Sequence, residues 1–134
     1  MSRVVTICGS TRFVDVMAVA AWMLERDENC IVFGLHYLPD WYGADTDHQA
    51  EAEDVDEQFD ALHLKKIEFS EEIFVVDTAP GTLRTYWGES TRNEIEYAVK
   101  LGKRVRRLSQ CPEMLAEMRD RYHTKVDEID PGAD

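Results

Sequence analysis

The sequence predicts a single flavodoxin-like (Rossmann-like) α/β domain, a parallel sheet of four or five strands with helices on both faces. Three observations carry this expectation. Short β-branched runs and helical stretches alternate in the order β-α-β-α-β-α-β-α, and such alternation demands crossover connections and a parallel sheet. The first strand run, Val4 to Cys8, is short and β-branched, as in a strand buried on both faces. The length, 134 residues with 44% hydrophobic and 31% charged side chains, fits one globular core that needs no disulfide or metal to hold it. One domain is therefore expected over residues 1–134, with a loose tail from about residue 127.

The first strand is Val4-Val5-Thr6-Ile7-Cys8, bounded by Gly9. Phe13, Val16, Met17, Ala20 and Leu24 recur at helical spacing and predict a helix over residues 13–26. A turn at Asp27-Glu28-Asn29 leads into the second strand, residues 30–33, ended by Gly34. An irregular stretch follows over residues 35–53, with Pro39, Trp41, Tyr42 and Gly43 among many acids. Loops of that length in a small domain commonly serve function. Val55, Phe59, Leu62 and Lys66 predict a second helix over residues 54–69, and residues 73–76 read as the third strand, stopped by Asp77. After a loop over residues 78–89, the third helix is expected over residues 91–101, stopped by Gly102, a residue suited to a helix C-terminus. Residues 105–108 make the fourth strand, and Pro112 opens a last helix reaching about Arg121.

Composition removes several classes of function. Acidic residues number 27 against 15 basic ones, a net charge of -12. Such a surface repels phosphodiester backbones, which argues against general nucleic-acid binding, although one local cation can still hold one phosphate. No apolar run approaches the roughly 18 residues of a membrane span, and the start, Met1-Ser2-Arg3-Val4, lacks the apolar stretch of a signal peptide. Cys8, Cys30 and Cys111 form no CxxC pair, which points to reduced thiols in a cytoplasmic protein without a zinc site. His36, His48, His63 and His123 show no HExxH-like spacing, so no metal is assigned. The nine acids over residues 40–60 stand without Lys or Arg and lack the calcium-loop pattern, so they read as a solvated face.

In open parallel sheets, ligands bind beyond the carboxyl ends of the strands. That rule singles out two segments. In Cys8-Gly9-Ser10-Thr11-Arg12-Phe13, Gly9 lets backbone approach a ligand, Ser10 and Thr11 add hydroxyls, and Arg12 adds a guanidinium fork at a helix N-terminus. Together these suit a phosphate. An ordinary turn with Arg12 on the solvated surface fits the same residues. In Gly88-Glu89-Ser90-Thr91-Arg92-Asn93-Glu94, the carboxylate of Glu94 is expected in the first turn of the third helix, facing the same crevice. There it can attack an electrophilic carbon or act as a base. Thr91-x-x-Glu94 also reads as a capping box, in which Glu94 merely returns a hydrogen bond. Asp77, at the end of the third strand, could orient a ligand or cap its loop. Asp77 and Glu94 together could form the carboxylate pair of glycosidic-bond chemistry. Trp41, Tyr42, Tyr86 and Trp87 lie in loops, placed to stack on a base or to pack beneath the loops. The basic run Lys103-Arg104-Val105-Arg106-Arg107 reads as a solvated edge with one group able to reach a phosphate or a neighbouring subunit.

The segments Ile7-Cys8-Gly9-Ser10-Thr11-Arg12, Gly88 to Ala98 and Gly102-Lys103-Arg104-Val105, in that order and spacing, resemble the nucleoside 2-deoxyribosyltransferase superfamily. The closest resemblance is to the 2'-deoxynucleoside 5'-phosphate N-hydrolases, and it covers residues 4–108. It implies a flavodoxin-like sheet, a homodimer, and cleavage of an N-glycosidic bond through a covalent deoxyribosyl-enzyme intermediate, with no cofactor. The family's nucleophile maps onto Glu94, four residues before Ala98, and its aspartate after the third strand onto Asp77. Its phosphate loop maps onto Gly9, Ser10, Thr11 and Arg12, and the glycine and serine before its glutamate onto Gly88 and Ser90, in exchanged order. Glu96 stands where a glycine is common, and Thr6 where the hydrolases carry a tyrosine. The expected activity is hydrolysis of the base–sugar bond of a nucleoside monophosphate. Base exchange between nucleosides and nucleotide sensing without chemistry are the alternatives.

Overall fold

The computed structural model describes residues 2–35, 49–82 and 84–122, with the backbone alone for residues 49–57. Strand β1 (Val4–Gly9) is flanked on one side by β2 (Ile31–Phe33) and on the other by β3 (Glu72–Val76), and β4 (Arg104–Arg107) closes the far edge. All three pairings are parallel, in the order β2-β1-β3-β4, giving four strands among the described residues. Pairing runs from Val4 opposite Ile31 to Thr6 opposite Phe33, and from Val5 opposite Glu72 to Gly9 opposite Val76.

Because successive strand side chains point to opposite faces, the two central strands feed two separate cores. Val5, Ile7, Phe74 and Val76 pack on one side, with Phe13, Val16, Met17, Ala20 and Leu24. Four of those five lie on α1 (Val14–Glu28), which is entered through a 3-10 turn at Thr11–Phe13 and ends at Asn29 in the left-handed conformation. Leu108 and Met118, from the chain around α4 (Pro112–Glu117), complete this core. On the other side, Cys8, Ile73 and Val75 meet Ile67 of α2 (Gln49–Glu68) and Ala98 of α3 (Glu89–Lys100). The layer arrangement is thus the expected one, with helices on both faces. No helix is long and apolar enough to cross a membrane among the described residues.

Several boundaries differ from expectation, each for a local reason. Helix α2 spans Gln49–Glu68, so residues 49–53, expected in the irregular stretch, are helical. Its inward face is set by His63 and Ile67, both buried, while Leu62 is half exposed. A histidine in a core position displaced the apolar pattern by one residue. Helix α3 starts at Glu89 with Gly88 in extended conformation as its N-cap. Thr91 is therefore inside the helix and buried, and Glu94 lies in its second turn. The capping box does not form. At the other end Gly102 does stop the helix, at φ +73, with the Lys103 amide donating to the Ala98 carbonyl at 2.9 Å. Helix α4 gives way at Met118 to a wider π turn over Met118–Tyr122.

The basic run at β4 is less solvated than a free edge. Arg106 donates to both Glu28 carboxylate oxygens, at 3.0 and 2.9 Å, and its Nε lies 2.8 Å from the buried Glu72. Arg3 reaches the same two acids. Arg107 turns to Asp77, and Lys103 donates to the Glu68 carbonyl. Burying Glu72 without such partners would be prohibitive, which explains Arg106 on this strand and Arg3 on the chain entering β1.

Gly9 is fixed by packing. A Cβ there would lie 2.7 Å from the Val76 carbonyl oxygen and 2.7 Å from Met17 Cε. Gly9→Ala is expected to cost about 1–3 kcal/mol through overpacking between β1 and β3. Urea unfolding monitored by circular dichroism measures this.

Candidate functional site

Strand order reverses at β1 and β3, the switch point where a crevice opens at the carboxyl ends of the strands. β1 delivers Cys8 and then the loop Gly9–Arg12 to that edge, and β3 delivers Asp77. The segment before α3 joins the two. The Tyr86 amide donates to the Asp77 carbonyl at 2.7 Å. The Arg12 guanidinium lies 4.4 Å above the Tyr86 ring, and that of Arg107 lies 4.8 Å above Trp87. The two loop aromatics thus carry arginines, and Trp87 also packs against the core cluster that holds Cys8. A cavity of about 330 Å³ opens at the start of α3, lined by Trp87, Gly88, Glu89 and Arg92.

Glu94 is the chemically unusual group. It is 6% exposed, and its carboxyl faces inward to Cys8 of β1 and His63 of α2, which are 0% and 1% exposed. Cys8 Sγ lies 3.5 Å from His63 Nε2, and the same Nε2 lies 4.0 Å from Glu94 Oε2. Burial pushes the Glu94 pKa up to about 8, and repulsion from Asp60 adds to this, while a hydrogen bond with Cys8 opposes it. Burial, and secondarily Glu94 itself, raises the Cys8 thiol well above its ordinary value. A carboxyl poised near neutrality can exchange a proton or, once ionised, attack a carbon.

Asp77 is placed differently. It is fully buried, and both its oxygens are occupied: Oδ1 accepts from the Ser109 amide at 2.9 Å, and Oδ2 from Arg107 Nε at 2.8 Å and Ser109 Oγ at 2.6 Å. It therefore ties β3 to the chain after β4, and its partners are not those of Glu94. In the phosphate-loop candidate, the Ser10 hydroxyl accepts from the Arg12 amide at 3.2 Å and the Ser10 carbonyl from the Phe13 amide at 2.9 Å. Two amides that an anion could use are thus engaged, while Thr11 and Arg12 are exposed. Ser90 Oγ donates to Asp60 Oδ2 at 3.3 Å, linking α3 to α2 beside Glu94.

Sequence reasoning missed His63, Asp60, Arg107 and Ser109 as parts of these clusters. His63 has no metal-binding spacing to another histidine, yet it stands four residues before Ile67, and both are buried. That position was the available signal. Trp41, Tyr42, His36, His48, His123 and the tail lie outside the described residues.

Compared with family models and with curated proteins, the sequence matches none of them.

Proposed function

We propose that the protein is an N-glycosidase acting on a deoxynucleoside 5'-monophosphate, with Glu94 as nucleophile. The observation that carries this reading is a buried carboxyl with its pKa raised to about 8, facing Cys8 at the carboxyl end of β1, where the chain enters the loop that bears Arg12. In the reaction the Glu94 carboxylate bonds to C1' as the C1'–N bond breaks, and the base leaves with the bonding electrons and takes up a proton from solvent. Water then attacks C1', the bond from Glu94 to C1' breaks, the sugar phosphate leaves, the carboxylate is regenerated and the proton released from water returns to solvent. Such a route needs positioning and charge but no cofactor. Asp77, held rigidly by Arg107 and Ser109, serves to position the crevice. The family resemblance extends the proposal to a homodimer, and the three unpaired cysteines extend it to the cytoplasm.

Arg12 decides the substrate class in this reading. A net charge of -12 repels nucleotides generally, so local groups must attract the phosphate. Tyr86 beneath the guanidinium holds it over the loop. A charge-assisted hydrogen bond from it is worth roughly 1.5–3 kcal/mol. Arg12→Ala is expected to lower kcat/KM for the monophosphate by about ten- to a hundredfold, with little change for the unphosphorylated nucleoside. Raised salt weakens the wild type more than the variant. The ratio of the two efficiencies, followed by chromatography of released base, is the test. An unchanged ratio removes Arg12 from the site. Base exchange without hydrolysis would mark a transferase, and binding without turnover a sensor.

A further inference from the structure

We propose that Cys8, His63 and Glu94 form a binding site for one divalent cation of the zinc class. The three residues come from β1, α2 and α3, and 55 residues separate Cys8 from His63. Their sulfur, nitrogen and oxygen atoms all lie within 4.8 Å of one another, and all three residues are buried. The decisive feature is which nitrogen they share. In a proton relay the imidazole uses one ring nitrogen for each partner. Here Nε2 faces both Cys8 Sγ and Glu94 Oε2, so three electron-pair donors point toward one small volume.

The dimensions suit zinc. With zinc–sulfur and zinc–nitrogen bonds of about 2.3 and 2.0 Å, tetrahedral ligands sit about 3.5 Å apart, and the sulfur–nitrogen distance here is 3.5 Å. The nitrogen–oxygen distance of 4.0 Å closes on metal binding by roughly half an ångström. The mixed donor set selects against calcium and magnesium, which take oxygen ligands. Thiolate, carboxylate and neutral imidazole balance a divalent charge, as burial requires. The fourth position is left for water or another small ligand. An ion bound here would also engage the carboxylate that captures the sugar, so the metal would inhibit base release. That consequence rests on the glycosidase reading; the binding itself does not.

Chelator-treated full-length protein, titrated with Co²⁺ alone and then with Zn²⁺, tests the site. The expected result is one Co²⁺ per chain, a thiolate-to-cobalt charge-transfer absorption, and its loss on adding Zn²⁺. Cys8→Ser removes the absorption. His63→Gln and Glu94→Gln each weaken binding by at least about tenfold, since even groups that only support ligands cost that much. Glu94→Gln removes a buried ionisable group and is the variant best suited to remain folded; circular dichroism checks all three. The proposal is overturned if no charge-transfer band appears, if the band survives Cys8→Ser, or if affinity is unchanged in both other variants. The same protein assayed for base release in chelator reports separately on the glycosidase reading, so either can fail alone.

Discussion

Glu94→Gln is expected to abolish base release, by at least roughly a thousandfold, about 4 kcal/mol of transition-state stabilisation, while making the protein more stable at alkaline pH. Glutamine keeps the size of the side chain but cannot capture C1'. In metal-free buffer the wild-type kcat/KM should rise with pH and level off above about 8, because only the ionised Glu94 attacks and its pKa in the folded protein is about 8. A rate that instead falls above pH 8 would make Glu94 an acid rather than a nucleophile. Stability runs the other way. In the unfolded chain this carboxyl ionises near 4.5, in the folded protein near 8. The folded state thus holds the proton more tightly. Its advantage is full below pH 4.5, declines between pH 4.5 and 8 as the unfolded chain ionises, and is lost above 8. The span is on the order of 5 kcal/mol for a fully desolvated group. Glu94→Gln should flatten this part of the pH–stability curve and exceed the wild type by several kcal/mol at pH 8. Urea unfolding across pH measures it. Equal slopes in the two proteins would mean that Glu94 titrates normally.

Asp77→Asn is expected to destabilise the fold by about 3 kcal/mol, the cost of breaking a buried ion pair on one side. The asparagine oxygen can replace Oδ1 opposite the Ser109 amide, but its NH₂ then faces the Arg107 Nε donor. A fall of more than about 1 M in the urea midpoint follows. Activity measured well below that midpoint separates the two roles. An Asp77→Asn protein of wild-type stability with its turnover lost would place Asp77 on the sugar instead of in the framework.

The fold was legible because its determinants are local. Val4 to Cys8 and Ile73 to Val76 are short β-branched and apolar runs, and Gly102 stops α3 where a left-handed residue is needed. The boundaries that were misread involve residues whose tertiary role overrides their local pattern. Thr91 and Glu94 have capping-box spacing, but Gly88 caps α3 and both residues face inward. The candidate site was legible in part. Gly9, Arg12 and Asp77 stand at strand and helix ends, where the topology directs attention, and Glu94 was found through its family pattern one turn further into α3. His63 shows in the sequence only as a histidine at helical spacing from Ile67, and Ser109 not at all, because each acts through a partner that only the folded chain supplies, Glu94 in one case and Asp77 in the other. No spacing rule links residues on three different elements.

The most direct test of the central claim is product analysis with a panel of deoxynucleoside 5'-monophosphates, wild type beside Glu94→Gln, in chelator. The prediction is free base and sugar phosphate in equal amounts from at least one substrate with the wild type, and neither with Glu94→Gln. Base release at the same rate from both proteins, or from neither with every substrate tried, would contradict it.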